Sequence, residues 1–283
     1  MAHVSPWVST GGTGADVYRV WDVRDEETSA GTHPCAGPPP ERTLRTAVVW
    51  RTLRGALDDR AAATGRRELD VVDAGGGTGN FAVPLAALGH HVTVADPNPD
   101  SLAALERRAA EAGVTGRVRP VQAEAAGLID VVGAGAADLV MCHSVLEYVD
   151  DPAAELAAVV AAARAGAAVS VLIANPVAAA VHRAIAGQFD DAARLLTDPD
   201  GTWGDRDPMP RRFTREAITA LLAAAGLTVE SVHGVRVFAD LIPGRLIDDP
   251  GAADPLAALE RAAATHPALR DIATQLHVLA WRA

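Results

Sequence analysis

The sequence predicts an α/β protein built on a doubly wound, Rossmann-like sheet. From residue 69 onward, short apolar runs typical of buried strands alternate with helical patterns, and a glycine cluster at 75–79 follows the first run. Alternating strands and helices favour a parallel sheet covered by helices. Ligands of such sheets bind beyond the carboxyl ends of the strands. The glycine cluster therefore marks the expected site.

The elements of this sheet follow from apolar periodicity and breaker residues. A helical pattern runs from 41 to about 60. The strands are predicted at 69–74, 91–96, 117–122, 137–143 and 167–174, and the intervening helices at 79–88, 99–113 and 152–165. Asp151 and Pro152 favour the start of the last helix, and Gly166 is predicted to stop it.

Two segments depart from the alternation. Residues 176–212 hold a helical piece at 177–189 and then Asp- and Pro-rich turns, which predicts a helical cap insertion over the substrate pocket. Residues 1–40 are rich in Gly, Ser, Thr and Pro and predict a flexible arm, whose aromatic residues either form a lid or attach it to the core.

The alternation resumes after the cap. A helix is predicted at 214–225, with Thr214 as an acceptable N-cap, and a strand at 227–238. Residues 239–271 are expected to be mostly helical, and 272–282 to form the last strand. Residues 41–283 would thus form one domain.

Composition restricts the functional classes. The 283 residues carry a net charge of −11, so overall charge does not favour nucleic-acid binding, although a local basic patch stays possible. Cys35 and Cys142 provide neither a disulfide framework nor a metal-ligand cluster, and Cys142 is predicted to be a core residue. No targeting or membrane-spanning segment is evident. We expect a cytoplasmic protein without a metal or a membrane partner.

The glycine loop indicates the type of cofactor. Gly75, Gly77 and Gly79 are spaced G-x-G-x-G, and Asn80 stands where a dinucleotide fingerprint has its third glycine. Asp73 precedes the loop, where a carboxylate would repel a pyrophosphate but suits an ammonium and a sulfonium. Asp96 ends the next strand and suits a ribose diol.

This combination resembles motif I of the class I S-adenosylmethionine (SAM) methyltransferases. The alternatives are a glycine-rich turn of another α/β protein and a dinucleotide oxidoreductase.

Two further strand ends carry candidate residues. Glu124 and Ala125 follow the third strand, where they would meet an adenine amino group; Glu124 could equally be a solvated acid at a helix start. His143 ends the fourth strand. A lone histidine is usually structural, but its place beside a cofactor loop favours a role toward the cofactor or the substrate.

Several motifs resemble the tRNA 5-carboxymethoxyuridine methyltransferase family. Residues 143–152 read H-S-V-L-E-Y-V-D-D-P, similar to the family's H-A-V-L-E-W-V-x-D-P, and residues 73–77 match its D-A-G-G-G. Residues 186–190 read A-G-Q-F-D, similar to A-G-N-F-D, and residues 234–238 reproduce G-V-R-V-F. The resemblance extends over about 41–282.

The resemblance implies methyl transfer from SAM to the carboxylate of a tRNA wobble uridine. It implies SAM contacts from Arg45, Gly75, Gly76, Asp96, Glu124, Ala125 and His143, to which the loop adds Asp73 and Gly77. The predicted catalytic residues are His143 and Arg236. Arg236 would bind the substrate carboxylate, or would instead form an ion pair with Asp240. A carboxylate nucleophile needs no general base.

The acceptor stays open at this point. The family's insertion carries a strongly basic run, whereas residues 193–202 here are barely basic, with Arg206, Arg211 and Arg212 nearby. A tRNA and a small metabolite with a carboxyl or hydroxyl group are therefore both considered. A non-catalytic SAM-binding protein is the third possibility.

Overall fold

The computed structural model describes residues 46–124, 127–197, 209–243 and 251–283. The predicted arm at 1–40, Arg45, Ala125 and Arg206 lie outside these ranges. The predictions made for them stay predictions.

Seven strands form one sheet in the order β3-β2-β1-β4-β5-β7-β6. Their bounds are β1 Asp70–Ala74, β2 His91–Asp96, β3 Val118–Gln122, β4 Ala137–His143, β5 Ala163–Ala174, β6 Leu227–Val235 and β7 Gln275–Arg282. Strands β1 to β5 pair in parallel, as predicted, and the doubly wound α/β class is confirmed.

The last strand is the exception to the parallel arrangement. β7 runs antiparallel to both β5 and β6. The chain leaves β6 at the carboxyl edge of the sheet and enters β7 from that same edge. It therefore needs no crossover back to the opposite edge, which a parallel neighbour would require.

Ten α-helices are described within these ranges. Their bounds are α1 Ala47–Thr64, α2 Ala82–Ala87, α3 Pro99–Glu111, α4 Leu128–Val132, α5 Pro152–Ala162, α6 Pro176–Ile185, α7 Phe189–Thr197, α8 Arg215–Ala224, α9 Ala253–Ala264 and α10 Pro267–Arg270. Thr214 caps α8, since its hydroxyl accepts a hydrogen bond from the backbone N–H of Ala217 at 3.1 Å.

The end of α5 differs from the prediction. Its start is as predicted, because the Asp151 carboxylate accepts from the backbone N–H groups of Ala153 and Ala154. The helix ends at Ala162, and β5 begins at Ala163, three residues before the predicted stop. Arg164 bonds Asp70 and Asp138 at the amino edge of the sheet, and these contacts favour extended backbone there.

Other boundaries also differ from the predictions; the last strand, for example, begins at Gln275 and not at 272. The helical piece predicted at 177–189 is two helices, α6 and α7, separated at Gly187, whose φ of +76° interrupts the helix. The strand predicted at 227–238 ends at Val235, because Arg236 has a φ of +59° that no strand accepts.

The sheet is buried on both faces. One face packs against α1, α2 and α3 through side chains such as Trp50, Leu53 and Leu105. The other packs against α4, α5 and α8 through Leu128, Leu156 and others. Cys142 is fully buried in this second layer, as predicted. No described helix is both long and apolar enough to span a bilayer.

Candidate cofactor and acceptor site

The glycine loop joins β1 to α2 at the carboxyl edge. The N–H of Gly75 donates to the carbonyl of Ala95 at 2.7 Å, so the loop starts against β2. A Cβ on Gly75 would lie 2.4 Å from a methyl carbon of Val145, and one on Gly76 would lie 2.4 Å from the Asp73 carboxyl group. Only glycine allows this close approach of the loop to the ends of β1 and β4.

Two buried carboxyl groups lie against this loop. Asp96 accepts from the N–H of Gly77 and from that of Asn98, each at 2.9 Å. Burial raises the pKa of Asp73 to about 7, with the nearby Asp96 adding to the shift. Burial also raises the pKa of Asp96, against the backbone hydrogen bonds that favour its charged form. A cationic ligand group would relieve both carboxyl groups.

The predicted adenine contact is only partly described. Glu124 is exposed just beyond β3, and the N–H of Ala123 donates to the carbonyl of Asp96. The end of β3 is therefore attached to the end of β2. The Glu124 carbonyl accepts from the N–H of Gly127 at 2.9 Å, just before α4 begins at Leu128.

His143 stands at the end of β4 in a chain of aromatic and polar side chains. Its ring meets Phe81 edge-on, with centroids 4.9 Å apart. Its Nε2 is 2.8 Å from the Ser170 hydroxyl, which is also 2.8 Å from Nε2 of His277. Burial lowers the pKa of His143 to about 3. The imidazole is therefore neutral at ordinary pH, and its Nδ1 has no hydrogen-bond partner within the described protein.

The loop after β4 is fixed by a buried acid. Glu147 is fully buried, and its carboxyl group accepts from the N–H of Ala174 at 2.7 Å. Burial raises the pKa of Glu147 to about 7. Ser144, in the same loop, has a φ of +55° and accepts from the side-chain amide of Gln275. These contacts join the ends of β4, β5 and β7.

Arg236 follows β6 at the same edge and is 8% exposed. Its Nη1 lies 3.3 Å from the Asp240 carboxylate, so the ion pair considered from the sequence exists. The backbone around Arg236 is held by Glu260 and Thr274. The structure thus brings Asp73, Gly75, Asp96 and His143 to the ends of the neighbouring strands β1, β2 and β4. Arg236 lies at the same edge of the sheet but at the end of β6, three strands away from β4.

The polar groups that support this edge were missed in the sequence. Ser170, Gln275, Glu260 and Thr274 belong to no motif, although the sequence does contain a signal for Glu260. It lies four residues after Leu256 and three before Ala263, on the buried stripe of α9. An acid on the apolar side of a helix indicates a specific buried partner.

Other features of the described residues do not extend this site. A cavity of about 600 Å³, lined by residues such as Leu88, His91 and Arg117, lies by the start of β2 and so at the opposite edge. Among the described residues, no group of three or more His, Cys, Asp and Glu side chains is placed to hold a metal ion.

Comparison with known proteins decides the family. The model of a protein family described as "Methyltransferase domain" matches residues 49–232, about two thirds of the chain. The chain belongs to this methyltransferase family. The match begins in α1, includes the glycine loop and His143, and ends in β6.

Individual relatives agree with this assignment. The chain is 29% identical over 206 residues to the tRNA 5-carboxymethoxyuridine methyltransferase of Escherichia coli K12, covering 70% of this chain and 73% of that protein. It is 33% identical over 183 residues to the ubiquinone biosynthesis O-methyltransferase of Xylella fastidiosa M23, covering 64% and 68%.

A solved structure shares the fold. Magnesium protoporphyrin IX methyltransferase from Synechocystis PCC 6803, with bound SAH, superposes with a TM-score of 0.53 at 16% identity, covering 84% of this chain and 85% of that one. The predicted class I fold, the methyltransferase activity and the SAM cofactor are therefore confirmed.

The residues at the edge fit SAM chemically. The glycines let the loop pack closely on the ends of β1 and β4, and Asp73 and Asp96 are buried carboxyl groups whose charge a cationic ligand group would stabilise. The individual SAM contacts predicted from the sequence stay predictions.

Proposed function

We propose that this methyltransferase transfers the methyl group of SAM to a carboxylate oxygen, and that its acceptor is 5-carboxymethoxyuridine at the wobble position of tRNA. The observation that carries the proposal is Arg236, which is held at the carboxyl edge of the sheet in an unusual backbone conformation. The relative named for this tRNA reaction supports the acceptor. Such an acceptor would place the reaction in the cytoplasm.

This methyl transfer requires that the acceptor carboxylate be positioned, and it requires no general base. SAM, when bound, supplies a methyl group activated by its sulfonium. A carboxylate oxygen is already anionic, and its attack forms the C–O bond as the C–S bond breaks, so no proton is released. Arg236 would hold the acceptor carboxylate through charge-assisted hydrogen bonds and set its direction of approach, while Asp240, 3.3 Å from its Nη1, would keep the guanidinium in place.

The remaining residues have supporting roles in this proposal. The loop from Gly75 to Gly77, with Asp73 and Asp96, would hold SAM, and Arg45, Glu124 and Ala125 would complete its contacts. His143 would pack against the cofactor as a neutral ring, fixed by Ser170 and Phe81. Helices α6 and α7 would form the acceptor-facing cap predicted for 176–212.

The test is a transfer assay with methyl-labelled SAM and tRNA that carries 5-carboxymethoxyuridine. We expect base-labile label in the tRNA, as a methyl ester requires. Arg236→Ala should lower kcat/KM for tRNA by about 10- to 100-fold, the range for a lost hydrogen-bonded charge. The dissociation constant for SAH should stay within about twofold. Equal losses of acceptor and SAH affinity would contradict an acceptor role.

A second candidate function is methylation of a small apolar acceptor. The cap exposes Ile185, Phe189 and Leu196, each about 70% accessible. Large exposed apolar side chains on one segment are typical of a ligand or partner surface. The Xylella relative is named for an O-methyltransferase of ubiquinone biosynthesis. A metabolite extract in the same assay, with base-stable label as the outcome, would favour this candidate.

A further inference from the structure

Glu260 on α9 makes an unusual set of contacts. Its carboxylate is 2% exposed and accepts hydrogen bonds from three consecutive backbone N–H groups. Oε2 accepts from Val237 at 2.8 Å, and Oε1 accepts from Phe238 and Ala239, both at 2.7 Å. Successive N–H groups directed at one anion form a concave binding site, and the charge makes each bond strong.

The residue just before these three N–H groups is Arg236. Its φ of +59° is a left-handed conformation that is costly for a residue with a Cβ. The Arg236 carbonyl accepts from both the N–H and the hydroxyl of Thr274, at 3.3 and 3.2 Å. Thr274 and Glu260 therefore fix the peptide groups after Arg236. Such strain persists only where surrounding contacts impose it.

The position of the strain favours a functional reason. Among the described residues, the non-glycine residues with positive φ are Ser144 and Arg236. Both directly follow strands at the carboxyl edge, where the glycine loop lies. A glycine at 236 would make the same turn without strain. The arginine thus occupies this position at a conformational cost, which favours a functional role for its side chain.

We propose that Glu260 is a positioning residue for the methyl acceptor: by binding the N–H groups of residues 237–239, it holds Arg236 in the conformation that directs its guanidinium at the acceptor carboxylate. The inference rests on the proposed function of Arg236. It assigns acceptor recognition to α9, a helix that lies outside the matched domain at 49–232. Glu260 does not touch the reacting atoms in this scheme.

The experiment compares Glu260→Gln, Arg236→Gly and the double variant, with labelled SAM and tRNA carrying 5-carboxymethoxyuridine. An amide at 260 keeps one oxygen acceptor but removes the charge and the second. We expect the KM for tRNA to rise about tenfold in Glu260→Gln, with kcat and the SAH dissociation constant within about twofold. The double variant should be no worse than Arg236→Gly, because Glu260 acts only through that arginine.

Amide hydrogen exchange tests the role of Glu260 without the methyl-accepting substrate. The amides of Val237, Phe238 and Ala239 should exchange at least about tenfold faster in Glu260→Gln, since they lose their charged acceptor. Asp138→Asn is the matched control. It removes another buried carboxylate, at the opposite edge, and should leave the tRNA KM unchanged; its lower global stability should speed exchange across the sheet, whereas Glu260→Gln should speed it at residues 237–239 in particular.

The outcomes separate this inference from the function on which it rests. If Arg236→Gly raises the tRNA KM while Glu260→Gln does not, the positioning role is wrong and the proposed function stands. Additive losses in the double variant would also overturn the positioning role. If Arg236→Gly leaves the KM unchanged, or tRNA is not methylated, the proposed function fails and this inference fails with it. Should Glu260→Gln not fold, Thr274→Val removes the hydroxyl donor to the Arg236 carbonyl and should raise KM in the same direction.

Discussion

Burial determines the charge of Asp73, the residue that precedes the glycine loop. Its pKa of about 7 means that, near neutral pH, the ligand-free protein is a mixture of the acid and the carboxylate. The raised pKa of Asp73 reduces the stability of the folded protein. As pH rises from about 4 to about 7, the unfolded chain loses this proton while the folded chain retains it, so this group lowers the stability of folding over that window.

SAM binding should reverse part of this cost. A cationic ligand favours the Asp73 carboxylate, so binding releases a proton below pH 7 and SAM affinity should rise as pH increases from about 5.5 to about 7.5. Calorimetry in two buffers of different ionisation enthalpy measures both effects. Asp73→Asn should bind more weakly and with a smaller pH dependence, since Asp96 also has a raised pKa. A pH-independent affinity of the unsubstituted protein would contradict the role given to Asp73.

The backbone of Arg236 has its own energetic consequence. Arg236→Ala and Arg236→Gly remove the same guanidinium and the same ion pair with Asp240, so they differ mainly in the cost of a positive φ. We expect Arg236→Gly to unfold with a free energy about 1 kcal/mol higher than Arg236→Ala. Urea denaturation checks this, and an Arg236→Gly variant less stable than Arg236→Ala would contradict a strained backbone at residue 236.

At the scale of the elements, the opposite edge of the sheet is held by one buried acid. Asp138, at the start of β4, is fully buried and accepts from the N–H of Asp70 at 3.0 Å. It also pairs with Arg60 of α1, with Arg66 and with Arg164 of β5. Burial alone would raise its pKa, but the bonds from Asp70 and Arg164 outweigh it and hold the pKa below its ordinary value.

Removing this acid should loosen several elements together. We expect Asp138→Asn to lower the free energy of unfolding by about 3 kcal/mol, because arginines would be left against an uncharged group. The loss should disappear in acid. A lowered folded pKa contributes stability above the unfolded value near 3.9, and this stability is lost as pH falls through the folded value. Denaturation of the unsubstituted protein and of Asp138→Asn at pH 7 and pH 3 measures this effect. An equal difference in unfolding free energy at the two pH values would contradict this account.

At the scale of the whole molecule, the sequence predicts the strands and helices of each layer better than the boundaries and connections between them. The cofactor edge could be foreseen because strand ends, a glycine loop and Asp96 are neighbours in any sheet of this kind. The conformation of Arg236 could not, because it depends on Glu260 and Thr274, which are distant in sequence and in no motif. The antiparallel direction of β7 likewise depends on the edge of the sheet at which α10 ends and β7 begins.

The boundary at β5 shows the same limit. Alanines at 161–163 favour a helix over a strand, so local propensity placed the end of α5 too late. The pairing of Arg164 with Asp70 and Asp138, about 94 and 26 residues away, decided it. At the boundary between α5 and β5, as at Arg236, tertiary contacts determine the backbone conformation more than local sequence propensity does.

The surface charge of the whole molecule bears on the proposed tRNA acceptor. The net charge is −11, and helices α6 and α7 carry two arginines and two aspartates. Arg194 pairs with Asp191, and Arg183 bonds Gln188. Arg211, before α8, donates to the backbone carbonyls of Val149 and Asp150. Guanidinium groups that are already bonded this way offer few contacts to phosphates.

We therefore expect weakly salt-dependent binding of a tRNA anticodon stem-loop. With about three phosphate contacts or fewer, log K should fall with log salt with a slope no steeper than about −3. Fluorescence anisotropy of a labelled stem-loop between 50 and 200 mM salt (about fourfold) measures the slope. Recognition would then depend mainly on the modified base and on Arg236, so a stem-loop with unmodified uridine should bind several-fold more weakly. A steep slope with equal binding of both stem-loops would contradict this and would indicate recognition through the phosphate backbone.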